Sequence, residues 1–116
     1  MASAFQTAYS RLPEVDQCSI QDFLSLLKEK NTVSNGYGIF HPRNYSCCFV
    51  NDILPTLQLL CASFKLTSSG YNTSGEMEYH VSWIPSDLVV PEFIIQDADA
   101  CWERFMLMTG LDEEYK

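Results

Sequence analysis

The stretch that most constrains the fold is residues 44–66, NYSCCFVNDILPTLQLLCASFKL, which is the longest apolar run in the chain. It holds three of the five cysteines, together with aromatic and aliphatic side chains that favour burial. Other elements have to cover such a run. Because the chain has only 116 residues, of which 47% are hydrophobic, we predict a single compact domain, 1–116, arranged around it.

The charge balance indicates which partners the surface suits. The formal net charge is −8, and the seven basic residues form no stripe along the sequence. Nucleic-acid binders neutralise phosphates with Lys and Arg, and anionic membranes attract basic segments, so both partners are disfavoured. A protein with a basic surface would be attracted instead. We therefore expect a protein partner, no nucleic acid and no membrane.

The cysteine count and the N-terminus bear on location. Five cysteines are an odd number at irregular spacings, and the first residues, MASAFQTAYSRLP, contain no apolar core of a signal peptide. These features predict reduced, free thiols in a cytoplasmic or nuclear protein that is not secreted. Asn44-Tyr45-Ser46 and Asn72-Thr73-Ser74 match glycosylation sequons, and without secretion both would stay unmodified.

The first half of the chain predicts one helix and short strands. Residues 1–17, with Pro13 as a breaker, suggest an N-terminal arm or a short strand. A capping-box-like pair, Ser19 and Asp22, predicts a helix over 19–30. Its apolar stripe is Ile20, Phe23, Leu24 and Leu27. Asn35-Gly36 is a hairpin signal, which makes Tyr37 to Phe40 a strand, and Tyr45 to Val50 suggests another.

The second half predicts two helices and a hairpin. Asn51 or Asp52 can cap a helix with Pro55 in its first turn. Its buried side would be Leu57, Leu60, Cys61 and Phe64. Alternation from Phe64 to Pro85 predicts a β-hairpin with a tip at Ser69 to Gly75. The remaining residues predict a strand at Phe93 to Gln96, a helix over 97–109 and an acidic tail, 111–116. The predicted fold is an α+β domain with about three helices and an antiparallel or mixed sheet of four to five strands.

One segment carries a chemical pattern. Cys48-Phe49-Val50-Asn51, with the aliphatic residues and Gln58 that follow, resembles the nucleophile box of papain-like cysteine peptidases over residues 44–60. It looks most like the viral leader and coronavirus types and the ubiquitin-specific peptidases. In these families the box opens a long buried helix, whose N-terminus favours the thiolate form of the nucleophile.

The resemblance implies roles for three further residues. His80 would be the general base, Asp97 would orient its imidazole, and Asn44 would donate a hydrogen bond to the oxyanion. The same letters also fit a buried strand that ends at Val50 and a helix capped by Asn51 or Asp52. Cys48 is then a small apolar packing residue without activity.

Apart from this box, the sequence contains no phosphate-binding glycine loop and no metal-ligand spacing, so we expect no metal and no cofactor. We predict a non-enzymatic interaction module, an accessory or adaptor protein with an acidic surface. The expected binding residues are Trp83, Trp102, Tyr71 and Met77. A homodimer formed through a sheet edge or the helix over 97–109 is a further expectation. The alternative is a minimal or inactive papain-like cysteine peptidase of viral type.

Overall fold

A computed structural model describes residues 4–30, 36–43 and 48–92, together with the single positions 101 and 107. Within these residues the chain is an α+β protein with three helices and a three-stranded antiparallel sheet. The α+β class predicted from the sequence is therefore confirmed. The predicted four to five strands are not, since the described residues contain three.

The N-terminal region is helical. Helix α1 spans Ala4–Ser10 and helix α2 spans Glu14–Lys30, so the arm or short strand predicted over residues 1–17 is wrong for residues 4–17. Pro13 separates the two helices, and its carbonyl oxygen accepts hydrogen bonds from the backbone N–H groups of Asp16 and Gln17. A proline just before a first turn costs no hydrogen bond, because the N–H groups there have no helical partner. Pro13 therefore starts α2 where the sequence suggested a break.

The apolar stripe of α2 is confirmed, but its predicted cap is not. All four stripe residues are buried, at exposures of 3% or less. Ser19 lies inside the helix, and its hydroxyl donates to the carbonyl oxygen of Val15. Asp22 pairs with Arg43, at 2.5 Å from Nε to Oδ2 and 2.6 Å from Nη2 to Oδ1. These two side chains thus tie α2 to the segment after the first strand, since the Ser19 hydroxyl also accepts from the Arg43 backbone N–H.

The sheet consists of β1 (Tyr37–Phe40), β2 (Lys65–Tyr71) and β3 (Met77–Ser82), in the order β1-β3-β2. The β2–β3 hairpin is the one predicted by the alternation. The predicted tip, Ser69 to Gly75, begins too early, because β2 continues to Tyr71 and the turn lies at residues 72–76. The strand predicted at Tyr37 to Phe40 is also confirmed. It pairs with β3, with Phe40 opposite Tyr79, and the residues that would form the first arm of an Asn35-Gly36 hairpin lie outside the described range.

The segment after Cys48 is helical. A π-helical turn, Phe49–Ile53, continues into helix α3, Leu54–Gln58, so the strand predicted up to Val50 is wrong at Phe49 and Val50. Pro55 lies in the first turn of α3, where the missing backbone N–H costs little. The four residues predicted for its buried side are buried, at exposures of 0% to 8%, but α3 ends at Gln58 and contains the first of them alone: Leu57, Leu60, Cys61 and Phe64. The predicted cap is wrong, because Asn51 and Asp52 lie inside the π-helical turn.

The core lies between the helices and one face of the sheet. Its centre is a set of aromatic rings in tilted, stacked and edge contacts, with centroid distances of 4.2 to 6.3 Å. These rings belong to Phe23, Phe40, Phe49, Phe64, Tyr79 and Trp83. Such pairs add about 0.5–1.5 kcal/mol each beyond the area they bury, so this cluster holds α2 and the α3 region on the sheet.

A disulfide joins Cys18 of α2 to Cys101, and both residues are buried at 1% exposure. The expectation that all cysteines are free thiols is therefore wrong for this pair. Cys48 and Cys61 are free, the first exposed and the second buried. The strand predicted at Phe93 to Gln96, most of the helix predicted over 97–109 and the acidic tail lie outside the described residues.

Candidate functional site

Cys48 lies at the head of a helical segment made of the π-helical turn and α3. It is the residue before the π-helical turn, and its carbonyl oxygen accepts the backbone N–H of Asp52 at 2.9 Å. Its side chain is exposed, so it is not the buried packing residue of the alternative interpretation. Solvent reagents can therefore reach the Cys48 thiol.

His80 lies in β3, on the face of the sheet that points away from the core. Its Nδ1 bonds to the Tyr37 hydroxyl, and its Nε2 lies 3.3 Å from Oε1 of Glu78. The neighbours in the strand, Tyr79 and Val81, face the core because side chains alternate along a strand. The imidazole is thus held by β1 and β3 on the outer face.

Of the predicted catalytic residues, the structure describes Cys48 and His80, and it places them on different sides of the sheet. Phe49, next to Cys48, stacks on Tyr79 with centroids 4.2 Å apart, which is a contact on the core face of β3. His80 occupies the opposite face, and among the described residues its side-chain hydrogen bonds go to Tyr37 and Glu78. Asn44 and Asp97 lie outside the described residues.

The outer face carries a cluster that the sequence reasoning missed. The Glu78 carboxylate lies between two imidazoles, 3.3 Å from Nε2 of His80 and 3.7 Å from Nε2 of His41. Asn72 also donates to Glu78, at 3.4 Å. The alternation of Glu78 and His80 with buried residues was a usable signal, but His41 required the register of β1 on β3. Within the described part of the chain, no three His, Cys, Asp or Glu residues are placed to hold a metal ion.

The predicted binding residues have different positions. Trp83 is 5% exposed and packs against Phe23 and Phe64, so it offers no exposed ring to a partner. Tyr71 is 76% exposed and lies opposite the half-buried Met77 at the end of the β2–β3 hairpin. The structure thus brings Tyr71 and Met77 together. Trp102 lies outside the described residues.

A second apolar surface lies between α1, α3 and the segment after β3. It consists of Ala8, Pro55, Leu59, Val89 and Pro91, and we call it the Leu59 surface. Leu59 lines two clefts, of about 430 Å³ against α1 and Pro55 and of about 400 Å³ against Val89 and Pro91. Leu59 is 49% exposed and Val89 is 70% exposed, which are large values for aliphatic residues.

The backbone holds these two side chains in place. The Val89 N–H donates to the carbonyl oxygen of Leu60 at 3.2 Å, which fixes the segment after β3 against the end of α3. Leu59 is not among the residues predicted from the sequence, because it lies between the buried residues Leu57 and Leu60. Its apolar character at a position off the buried side was the signal that could have found it.

Comparisons with known proteins return nothing: no protein-family model, no curated protein and no solved structure matches this chain. No helix in the described ranges is both long enough and apolar enough to cross a membrane.

Proposed function

We propose that this protein is a non-enzymatic interaction module whose Leu59 surface binds another protein. The observation that carries the proposal is the position of two exposed aliphatic side chains. Leu59 is 49% exposed, Val89 is 70% exposed, and they line adjoining clefts. Contiguous exposed apolar surface of this kind is typical of binding sites, because burying it on association is favourable.

The charge of the chain suggests the character of the partner. With a net charge of −8, the protein attracts basic surfaces and repels acidic ones. The partner would insert apolar side chains into the clefts beside Leu59 and carry Lys or Arg around them. Its affinity would then fall as salt is added, because salt screens exposed charges.

The test compares proteins captured by the wild-type chain and by Leu59→Asp from the cells that produce it. Each captured protein is then purified and its Kd remeasured. We expect Leu59→Asp to weaken binding at least about tenfold, which corresponds to about 1.4 kcal/mol. Ile84→Asp is the matched control, since Ile84 is 56% exposed but lines neither cleft.

The same experiment can also show which of the two exposed surfaces binds the partner. If Tyr71→Asp abolishes binding while Leu59→Asp leaves it unchanged, the hairpin end around Tyr71 and Met77 is the binding site and the Leu59 surface is not. Binding that neither variant affects would contradict the proposal.

The cytoplasmic or nuclear location depended partly on reduced cysteines, and the Cys18–Cys101 disulfide removes that support. The homodimer stays a prediction, which light scattering can test.

The exposed Cys48 thiol favours a second candidate, the papain-like cysteine peptidase. Cys48 stands at the head of a helical segment and opens the Cys-Phe-Val-Asn box. For this function His80 would have to leave Tyr37 and Glu78 and reach the thiol. Such a rearrangement would convert the exposed cysteine into a nucleophile activated by an adjacent base.

Labelling with iodoacetamide across pH distinguishes the two candidates. A peptidase would show a thiol at Cys48 that reacts fast even at low pH and slows in His80→Ala. Free cysteine in solution provides the reference rate for an accessible thiol that is not activated. Slow labelling of Cys48 that His80→Ala leaves unchanged would exclude the peptidase.

A further inference from the structure

The turn between β2 and β3 contains one of the two sequons, Asn72-Thr73-Ser74. The Asn72 side-chain Oδ1 accepts the backbone N–H groups of Ser74 at 2.9 Å and Glu76 at 3.0 Å. The Asn72 backbone is also fixed, because its N–H donates to the Glu76 carbonyl oxygen at 2.9 Å. The sequon therefore forms a defined surface turn. The Asn72 side-chain oxygen accepts hydrogen bonds from the turn backbone, whereas the side-chain nitrogen, Nδ2, contacts Glu78.

The space around this turn is open. Thr73, Ser74 and Gly75 are exposed, and a Cβ built on Gly70 or on Gly75 would meet no atom within 4 Å. Nδ2 has two hydrogens, and it uses one for the 3.4 Å contact with Glu78. A substituent on Nδ2 would replace one hydrogen and leave the other for Glu78. Asn72 itself is partly buried, so a bulky group on Nδ2 would have to leave past the exposed residues Thr73 and Ser74.

An independent observation concerns the redox environment. The Cys18–Cys101 disulfide is buried and spans 83 residues of sequence. Disulfides of this kind form and persist in oxidising compartments, such as the endoplasmic reticulum, and are rare in the cytosol. The endoplasmic reticulum is also where sequon asparagines receive sugars, so the disulfide and the turn favour the same compartment.

We propose that Asn72 is an N-glycosylation site and that the chain matures in the endoplasmic reticulum. The co-reactant is a lipid-linked oligosaccharide diphosphate. Nδ2 of Asn72 forms a bond to the anomeric carbon of the first sugar, and the bond from that carbon to the diphosphate oxygen breaks. The lipid diphosphate leaves with the electron pair, Nδ2 loses one proton to a base, and nothing is oxidised or reduced. The glycan would project from the hairpin end next to Tyr71.

The test uses the full chain, expressed from its own coding sequence in eukaryotic cells. We expect a mass increase that peptide-N-glycosidase removes, and that is lost in Asn72→Gln and in Ser74→Ala. Asn44→Gln, which removes the other sequon, is the matched control and should keep the increase. An unmodified chain, or an increase that Asn72→Gln leaves in place, would overturn the proposal.

A second readout does not depend on the sugar. Alkylation of the same purified chain in denaturant, before any reduction, should leave Cys18 and Cys101 unlabelled, while Cys48 is labelled. Labelled Cys18 together with an unmodified Asn72 would refute the secretory maturation outright. Neither readout depends on the binding of a partner, so a failure here leaves the interaction module untouched.

Discussion

Gly36 has a backbone conformation that other residues seldom adopt. Its φ is +63°, and its carbonyl oxygen accepts the Trp83 backbone N–H at 3.0 Å. A Cβ at this position would lie 2.4 Å from the Trp83 carbonyl oxygen, which is part of the backbone and cannot rotate away. The residue before β1 therefore has to be glycine for both conformational and steric reasons.

Replacing Gly36 with Ala should lower the free energy of unfolding by about 1–3 kcal/mol, the usual cost of a strained backbone position. Urea denaturation monitored by tryptophan fluorescence measures it. Gly70→Ala is the control, since its Cβ meets open space in β2 and Ala suits a strand slightly better than Gly. Equal losses in the two variants would show that the approach of Gly36 to Trp83 is not a constraint.

Asp22 leads to a prediction about the stability of the protein in acid. Burial raises the pKa of its carboxyl above the ordinary 3.8, and the hydrogen bond and charge of Arg43 offset this only partly. The folded state then holds the proton more tightly than the unfolded chain does. This carboxyl therefore favours folding below pH 3.8, and that contribution is lost as pH rises through the raised pKa.

The measurement compares wild type with Asp22→Asn, which keeps the shape of the side chain and cannot ionise. The quantity of interest is the free energy of unfolding of wild type minus that of the variant. This difference should be largest at the lowest pH and should fall as pH increases. Denaturant curves at several pH values between about 3 and 6 give this difference. A difference that grows with pH would mean that the pairing with Arg43 outweighs burial.

At the scale of elements, the buried residues of α2 and of the region around α3 were predictable, but the bounds of the two helices were not. Apolar residues at helical spacing identify the buried side of a helix wherever it starts. The start of α2 depends on Pro13, which is compatible with either a break or a first turn. The helical conformation of Phe49 and Val50 was also missed, because two aromatic or β-branched residues in a row favour a strand locally and tertiary contacts decided otherwise.

Helix α3 permits a matched pair of substitutions. Leu57 is fully buried, whereas Leu59 is about half exposed two residues later. Leu57→Ala should lower the free energy of unfolding by about 2–5 kcal/mol through lost burial and a cavity. Leu59→Ala should change it by no more than about 0.5 kcal/mol and act on partner binding alone. Urea denaturation of both variants checks the stability, and a large loss in Leu59→Ala would assign that residue to the core.

The candidate site was only partly visible in the sequence for a related reason. The resemblance at Cys48 rests on adjacent residues alone, and it stays a prediction. Whether His80 faces Cys48 depends on which side of β3 is covered, and that follows from the packing of Phe49 on Tyr79. Contacts between residues distant in sequence, including the one between His41 and Glu78, cannot be deduced from spacing alone.

At the scale of the whole molecule, the Cys18–Cys101 disulfide is a long-range covalent constraint. It closes a loop of 83 residues, and the chain-entropy model gives such a cross-link about 4.5 kcal/mol of stabilisation. Cys18→Ala and Cys101→Ala should each remove most of it, in a small domain with little stability to spare. Thermal unfolding of wild type with and without reductant measures the effect.

Cys48→Ser is the control for this prediction, because Cys48 is unpaired and exposed. It should unfold at the same temperature as wild type under both conditions. A Tm of the wild-type chain that reductant leaves unchanged would mean that the Cys18–Cys101 bond is not present in the folded population.

The same cross-link determines what happens to a chain that has been cut. Cys18 and Cys101 lie near the two ends of the sequence, so a protease that cleaves once anywhere between them leaves both fragments covalently attached. Nicked molecules would run as one band in a non-reducing gel and separate only after dithiothreitol. A single cut in the turn at residues 72–76 would therefore remain invisible to a size measurement of the intact protein.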